Sequence, residues 1–77
     1  MTQELIELEE GQTWWFKRGN QKPSFRRITK LKYWFHGGID VYYDTPSGPG
    51  AHSPAKESVF RAWITRQGAT LNQEDWA

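Results

Sequence analysis

A chain of 77 residues without a single cysteine has to hold itself together by side-chain packing alone. A polypeptide this short buries only about 60% of the surface its unfolded form exposes, so its core is thin. Disulfides or a structural metal are the usual reinforcement. The missing cysteines exclude a disulfide framework and any thiolate zinc site. The two histidines, His36 and His52, stand sixteen residues apart in Gly- or Pro-rich stretches, and neither reads as part of a ligand set. No metal and no cofactor are therefore expected. The bulk comes from rings: five Trp, four Phe and three Tyr, in a chain whose hydrophobic content is only 36%. Each ring buries about 150–250 Å², so a few supply most of a small core. Aromatic richness is also the reverse of a disordered composition. One folded domain over residues 1–77 is expected.

Charge is laid out unevenly. Residues 1–10 form an acidic leader with four glutamates and no base. Residues 11–39 carry seven bases and no acid: Lys17, Arg18, Lys22, Arg26, Arg27, Lys30 and Lys32. Residues 40–77 carry five acids against three bases. The basic block is interleaved with Trp14, Trp15, Phe16, Phe25, Tyr33, Trp34 and Phe35, and this is the most informative feature of the chain. The acidic leader is neither a signal nor a transit peptide, and no apolar run reaches the ~18–20 residues of a membrane span. A cytoplasmic protein with no membrane partner is the expectation.

Periodicity predicts strands first and a helix later. Glu4–Leu8 reads as strand or helix, with a strand favoured and Ile6 and Leu8 pointing inward. Gln12–Lys17 alternates, with Trp14 and Phe16 on one face and Trp15 and Lys17 on the other. Gly19–Pro23 is a loop. Phe25–Phe35 is a longer strand in which Ile28 falls out of phase with Leu31, Tyr33 and Phe35. A β-bulge near Thr29-Lys30, or a sharp bend there, brings all four to one face. His36-Gly37-Gly38 turns the chain, because glycine accepts the positive φ angles of tight hairpins. Ile39, Val41 and Tyr43 then alternate against Asp40, Tyr42 and Asp44. Residues 45–52, with Pro46, Gly48, Pro49 and Gly50, read as a loop that cannot continue a ladder.

The helix is expected over 53–67, with Ser53 as cap and Pro54 at the first helical position. Val59, Phe60, Trp63 and Ile64 form its apolar stripe, Glu57 and Arg61 an i,i+4 pair, and Gly68 its stop. In the tail, 68–77, the stretch Leu71–Ala77 adds one short strand or frays. The predicted core is Trp14, Phe16, Ile28, Leu31, Tyr33, Ile39, Val41, Tyr43, Val59, Phe60, Trp63 and Ile64. The fold class is mainly β (α+β), with four to five short antiparallel strands in a bent sheet or partly closed barrel and one C-terminal helix. The stretches Gly11-Gln12-Thr13-Trp14, Arg27-Ile28-Thr29-Lys30-Leu31, Val41-Tyr42-Tyr43 and Phe60-Arg61-Ala62-Trp63 resemble the small Src-homology-3-like or Tudor-like barrels of phage and bacterial accessory proteins. The resemblance spans roughly residues 6–66 and lies mostly at core positions. It implies a fold, one that hosts nucleic-acid binders, peptide binders and rare enzymes alike.

Enzyme signatures are missing: there is no phosphate-binding loop, dinucleotide fingerprint or nucleophile turn. Asp40 and Asp44 are about 13 Å apart by strand rise, too far to share a substrate atom. No catalytic residue is assigned. Under the bulged register Phe25, Arg27, Lys32, Trp34 and Tyr42 point outward, while Lys17, Arg18 and Lys22 extend the same patch. Cations that neutralise phosphates and rings that stack on unpaired bases are what single-stranded nucleic acid needs. Lys17, Arg18, Lys22, Arg27, Lys32, Trp34 and Tyr42 are therefore the candidate nucleic-acid-binding residues. The alternative uses the same side chains for a protein partner, since Trp, Tyr and Arg dominate interface hot spots. It takes the form of a phage-type protein docking on a host protein, or of a homodimer. An aromatic cage built from Trp15 and Tyr42 is a third variant. Solvent-side lysines that merely guard a sheet edge, or an acidic leader folded back over the block, are the competing readings.

Overall fold

The computed structural model describes residues 6–49 and 54–76. Five strand segments form one antiparallel sheet: β1 (Thr13–Phe16), β2 (Ser24–Tyr33), β3 (Ile39–Thr45), β4 (Gly48–Pro49) and β5 (Ala55–Lys56). The first three follow one another as a meander, and β4 and β5 share the far edge of β3. Helix α1 (Glu57–Gln67) covers one face of the sheet, and a 3-10 turn (Gln73–Trp76) ends the described chain. The sheet is open: among the described residues no ladder joins β1 to β4 or β5.

The core side follows from alternation. Trp14, Ile28, Leu31 and Val41 project from the three long strands towards Phe60 and Trp63 of α1, and all six are buried. Phe16, Ile39, Tyr43, Ala55 and Ile64 pack around them. The bulge lies where the phase slip of Ile28 against Leu31 required it. Ile28 pairs with Tyr43, Lys30 pairs with Tyr42, and Thr29 is the extra residue. Without that insertion either Ile28 or Leu31 would face solvent.

The turns obey their local chemistry. Trp34 closes a three-residue loop by donating its N–H to the Gly38 carbonyl at 2.8 Å and accepting from Gly37 N at 2.9 Å. Gly37 supplies the left-handed residue that this loop demands, at φ 96°. At the other end of the molecule Gly68, at φ 65°, stops α1. Gly68 N bonds to Thr65 O and Ala69 N to Ile64 O, the paired bonds of a Schellman motif. Ala69 is buried against the same cluster, which ties the helix end to the core.

Several expectations are corrected. Of the strand expected over Glu4–Leu8, Glu4 and Leu5 lie outside the described residues, and Ile6–Leu8 is not a strand; Ile6 is 49% exposed, whereas Leu8 is buried in the core. Gln12 holds this segment by donating from Nε2 to the Glu7 carbonyl and accepting the Glu9 N–H and the Trp14 indole N–H on Oε1. The loop expected at 45–52 contains a ladder, because Gly48 and Pro49 pair with Thr45 and Asp44 across a two-residue turn. Pro49 is tolerated there because β4 is an edge segment. The helix begins at Glu57 and not at 53, since Ala55 and Lys56 satisfy their backbone along the β3 edge opposite Val41 and Asp40. Ser53, the expected cap, lies outside the described residues, and Lys56 stands at the N-cap with no side-chain cap bond. Val59 and Tyr33, expected in the core, are 57% and 68% exposed. Val59 sits on the flank of the α1 stripe, and Tyr33 emerges beyond the area that α1 covers. Phe35, placed on the core face by the bulged register, lies in the turn and is fully exposed. The tail makes one bridge, Thr70 to Trp15, and its Trp76 indole donates to Thr70 Oγ1 at 3.0 Å.

Candidate nucleic-acid interface

The face of the sheet turned away from α1 is set by the same alternation that builds the core. Register places Thr13 opposite Arg27, Trp15 opposite Phe25, Arg27 opposite Asp44, Lys30 opposite Tyr42, and Lys32 opposite Asp40. Each pair lies on the side opposite Trp14, Ile28, Leu31 and Val41. The result is a surface on which cations and rings alternate. Arg27 lies 5.1 Å from the Phe25 ring, Lys30 Nζ 5.8 Å from Tyr42, and Lys32 Nζ 4.1 Å from Trp34. Trp15 and Phe25 pack at 5.0 Å between centroids.

Polar bonds fix parts of this surface. Arg27 Nε donates to Thr13 Oγ1 at 3.2 Å, and the Trp34 indole donates to Asp40 Oδ2 at 2.8 Å. Trp34 also stacks on His36, with centroids 6.1 Å apart and planes within 5°. Its ring is thus held on the rim of the face by Lys32, Asp40 and His36 together. The described part of the acidic leader does not cover the bases. Ile6 is tied to α1, whose Arg61 donates to its carbonyl at 2.9 Å, and Leu8 enters the core. Glu10 accepts the Leu31 N–H at 3.3 Å on the open edge of β2. The one ion pair among the described residues, Glu57–Arg61 at 3.5 Å, is on the helix.

Of the seven residues singled out from sequence, Arg27, Lys32, Trp34 and Tyr42 share this face. Arg18 does not. Its guanidinium lies 5.9 Å from the Phe16 ring, on the α1 side, because Phe16 has the inward phase and Arg18 folds back over it. Lys17 and Lys22 sit in the β1–β2 connection, half-buried and exposed respectively, beyond the strand residues whose register fixes the outer face. Lys30 belongs to the face and was missed. The signal was alternation from Lys32, two residues on and already placed on this face, while the extra residue at Thr29 brings both lysines into step with Arg27. Trp15 and Tyr42 do not form a cage: their partners Phe25 and Lys30 are five residues apart on β2, about 16 Å of strand.

A groove of about 500 Å³ adjoins the rim, lined by Trp34, His36, Asp40, Lys56, Glu57 and Ser58 among others. It unites His36 with Asp40, but the two are not coupled. His36 Nδ1 accepts the Gly38 N–H at 3.3 Å, while the Asp40 bond goes to Trp34. His52 lies outside the described residues. Among the described residues no group of three or more His, Asp or Glu side chains could hold a metal ion, and no helix is long and apolar enough to cross a membrane. No family model, curated protein or solved structure matches this chain.

Proposed function

We propose that this chain is a non-enzymatic binding module whose outer sheet face takes single-stranded nucleic acid. The observation that supports it is the gathering of Phe25, Arg27, Lys30, Lys32, Trp34 and Tyr42 on one side of the sheet. Arg27, Lys30 and Lys32 are exposed and supply the sequence-blind phosphate contacts. The rings already carry cations, Arg27 over Phe25, Lys30 over Tyr42 and Lys32 over Trp34. A base therefore stacks where the ring's cation swings out to a phosphate, a contact worth about 1–3 kcal/mol. Asp40 and Asp44 stand opposite Lys32 and Arg27 on this face and weaken its positive field, which leaves Lys30, opposite Tyr42, as the cation with no carboxylate across the ladder. We also read the scaffold as akin to the small Src-homology-3-like barrels. The long bulged β2, shared by β1 and β3 and backed by a terminal helix, supports that likeness.

The test is binding of a labelled single-stranded oligonucleotide over a range of salt. The logarithm of affinity should fall linearly with the logarithm of salt concentration. Arg27→Ala and Lys32→Ala should each flatten that slope by about 0.7, the value of one phosphate contact on a single strand. Undetectable binding at low salt would transfer the assignment to a protein partner. A specific observation favours that second reading: Phe35 is fully exposed at the β2–β3 tip, beside Tyr33 at 68%. Exposed rings at a hairpin tip are the anchors a partner protein's pocket or a second copy would bury.

A further inference from the structure

A different set of cations collects on the opposite side of the sheet, around the end of α1. The Arg26 guanidinium lies 4.2 Å from the Trp63 ring and 4.7 Å from the Tyr43 ring. Trp63 meets Phe16 edge-on at 5.1 Å, and Arg18 lies 5.9 Å from that same Phe16. Arg66 follows Trp63 by three residues on α1, so its stem rises from the same flank of the helix. Arg18, Arg26 and Arg66 are thus hung on one aromatic wedge.

Among the described residues none of the three forms a salt bridge or donates a side-chain hydrogen bond. Burial lowers the Arg26 pKa from its ordinary value, and Arg66 and Arg18 add like-charge repulsion, while Tyr43 opposes them. The buried Trp63 indole N–H is likewise without an acceptor. Position within the last helical turn accounts for Arg66 alone, through the helix dipole. It does not account for the convergence of all three. A half-buried guanidinium with open donors, flanked by two more, is short of an acceptor of negative charge.

We propose that Arg18, Arg26 and Arg66, gathered around the Trp63–Phe16 wedge, form a binding site for a phosphate group. The planar fork of arginine suits a tetrahedral oxyanion, which takes paired N–H donors from more than one guanidinium. The group is either a free phosphate or monoester, or a phosphodiester of a strand that rounds the end of the sheet. The site does not depend on the outer face, because none of its residues lies there.

The experiment is a titration of the folded chain with inorganic phosphate, followed by tryptophan fluorescence and by the indole N–H signal of Trp63. Sodium chloride at matched ionic strength serves as reference. A saturable response to phosphate is expected. Arg18→Gln and Arg66→Gln, both at exposed positions, should each weaken it about tenfold, the loss of one charge-assisted contact. Arg27→Gln, on the outer face, should leave it unchanged. A single-stranded oligonucleotide that displaces phosphate identifies the strand as the source of the group, and failure to displace it identifies the free anion. An equal response to chloride, or equal affinity in the Arg18 and Arg66 variants, would overturn the site. Weakened oligonucleotide binding in Arg27→Gln with phosphate binding intact separates this proposal from the strand-binding reading.

Discussion

Replacing Trp63 by alanine is expected to lower the thermal midpoint by more than about 12 °C, as read by far-UV circular dichroism. Trp63 is 2% exposed and is the largest fully buried side chain. It packs on Phe60 at 5.4 Å and Phe16 at 5.1 Å and carries Arg26 over its face. Truncating a buried tryptophan costs about 3–5 kcal/mol. A chain of this length has roughly 4–12 kcal/mol in total, and each kcal/mol moves the midpoint by about 4–8 °C. Few other side chains serve the core, so little can collapse into the void. Trp63→Phe should be milder, because it keeps the wedge and removes an indole N–H that has no acceptor. An alanine variant that melts within a few degrees of the parent would show that the helix is not anchored to the sheet through this ring.

The second large effect is on binding. The triple variant Arg27→Ala, Lys30→Ala, Lys32→Ala should lose several-hundredfold affinity for a single-stranded oligonucleotide at about 50 mM salt. Three phosphate contacts account for a slope of about 2.1, extrapolated to a molar reference. All three side chains are exposed, so each substitution should change stability by only about 0.5 kcal/mol or less. Melting and the circular dichroism spectrum should therefore stay close to the parent while anisotropy is lost. A loss below tenfold would mean that the cations only decorate the sheet.

Much of this architecture is legible in the residues, for identifiable reasons. The bulge is forced by the three-residue spacing of Ile28 and Leu31, both of which reach the core. Gly68 is readable as a helix stop because only a residue tolerant of positive φ closes that motif cheaply. Periodicity does not say how far a helix extends over a sheet, and Tyr33, in correct phase, ends beyond it at 68% exposure. The start of α1 was hidden for a related reason. Pro54 and Ser53 look like a helix entry, yet Ala55 and Lys56 find better backbone partners on β3.

The outer face divides the same way. Arg27, Lys32, Trp34 and Tyr42 come together because strand alternation fixes them, one residue at a time. Arg18 lies past the end of β1, where no ladder dictates direction, and it turns to the α1 side to cover Phe16. Lys30 was hidden by the bulge that restores it to the face. Arg26 sits between Phe25 and Arg27 in sequence and on the other side of the sheet in space. A basic run along a strand is therefore two patches, and only alternation separates them.

The most direct test is chemical-shift mapping of the isotope-labelled chain on adding a short single-stranded oligonucleotide at low salt. Perturbation is expected at the Trp15 and Trp34 indoles and at the amides of Phe25, Arg27, Lys30, Lys32 and Tyr42. Saturating oligonucleotide that leaves all of these signals in place would contradict it.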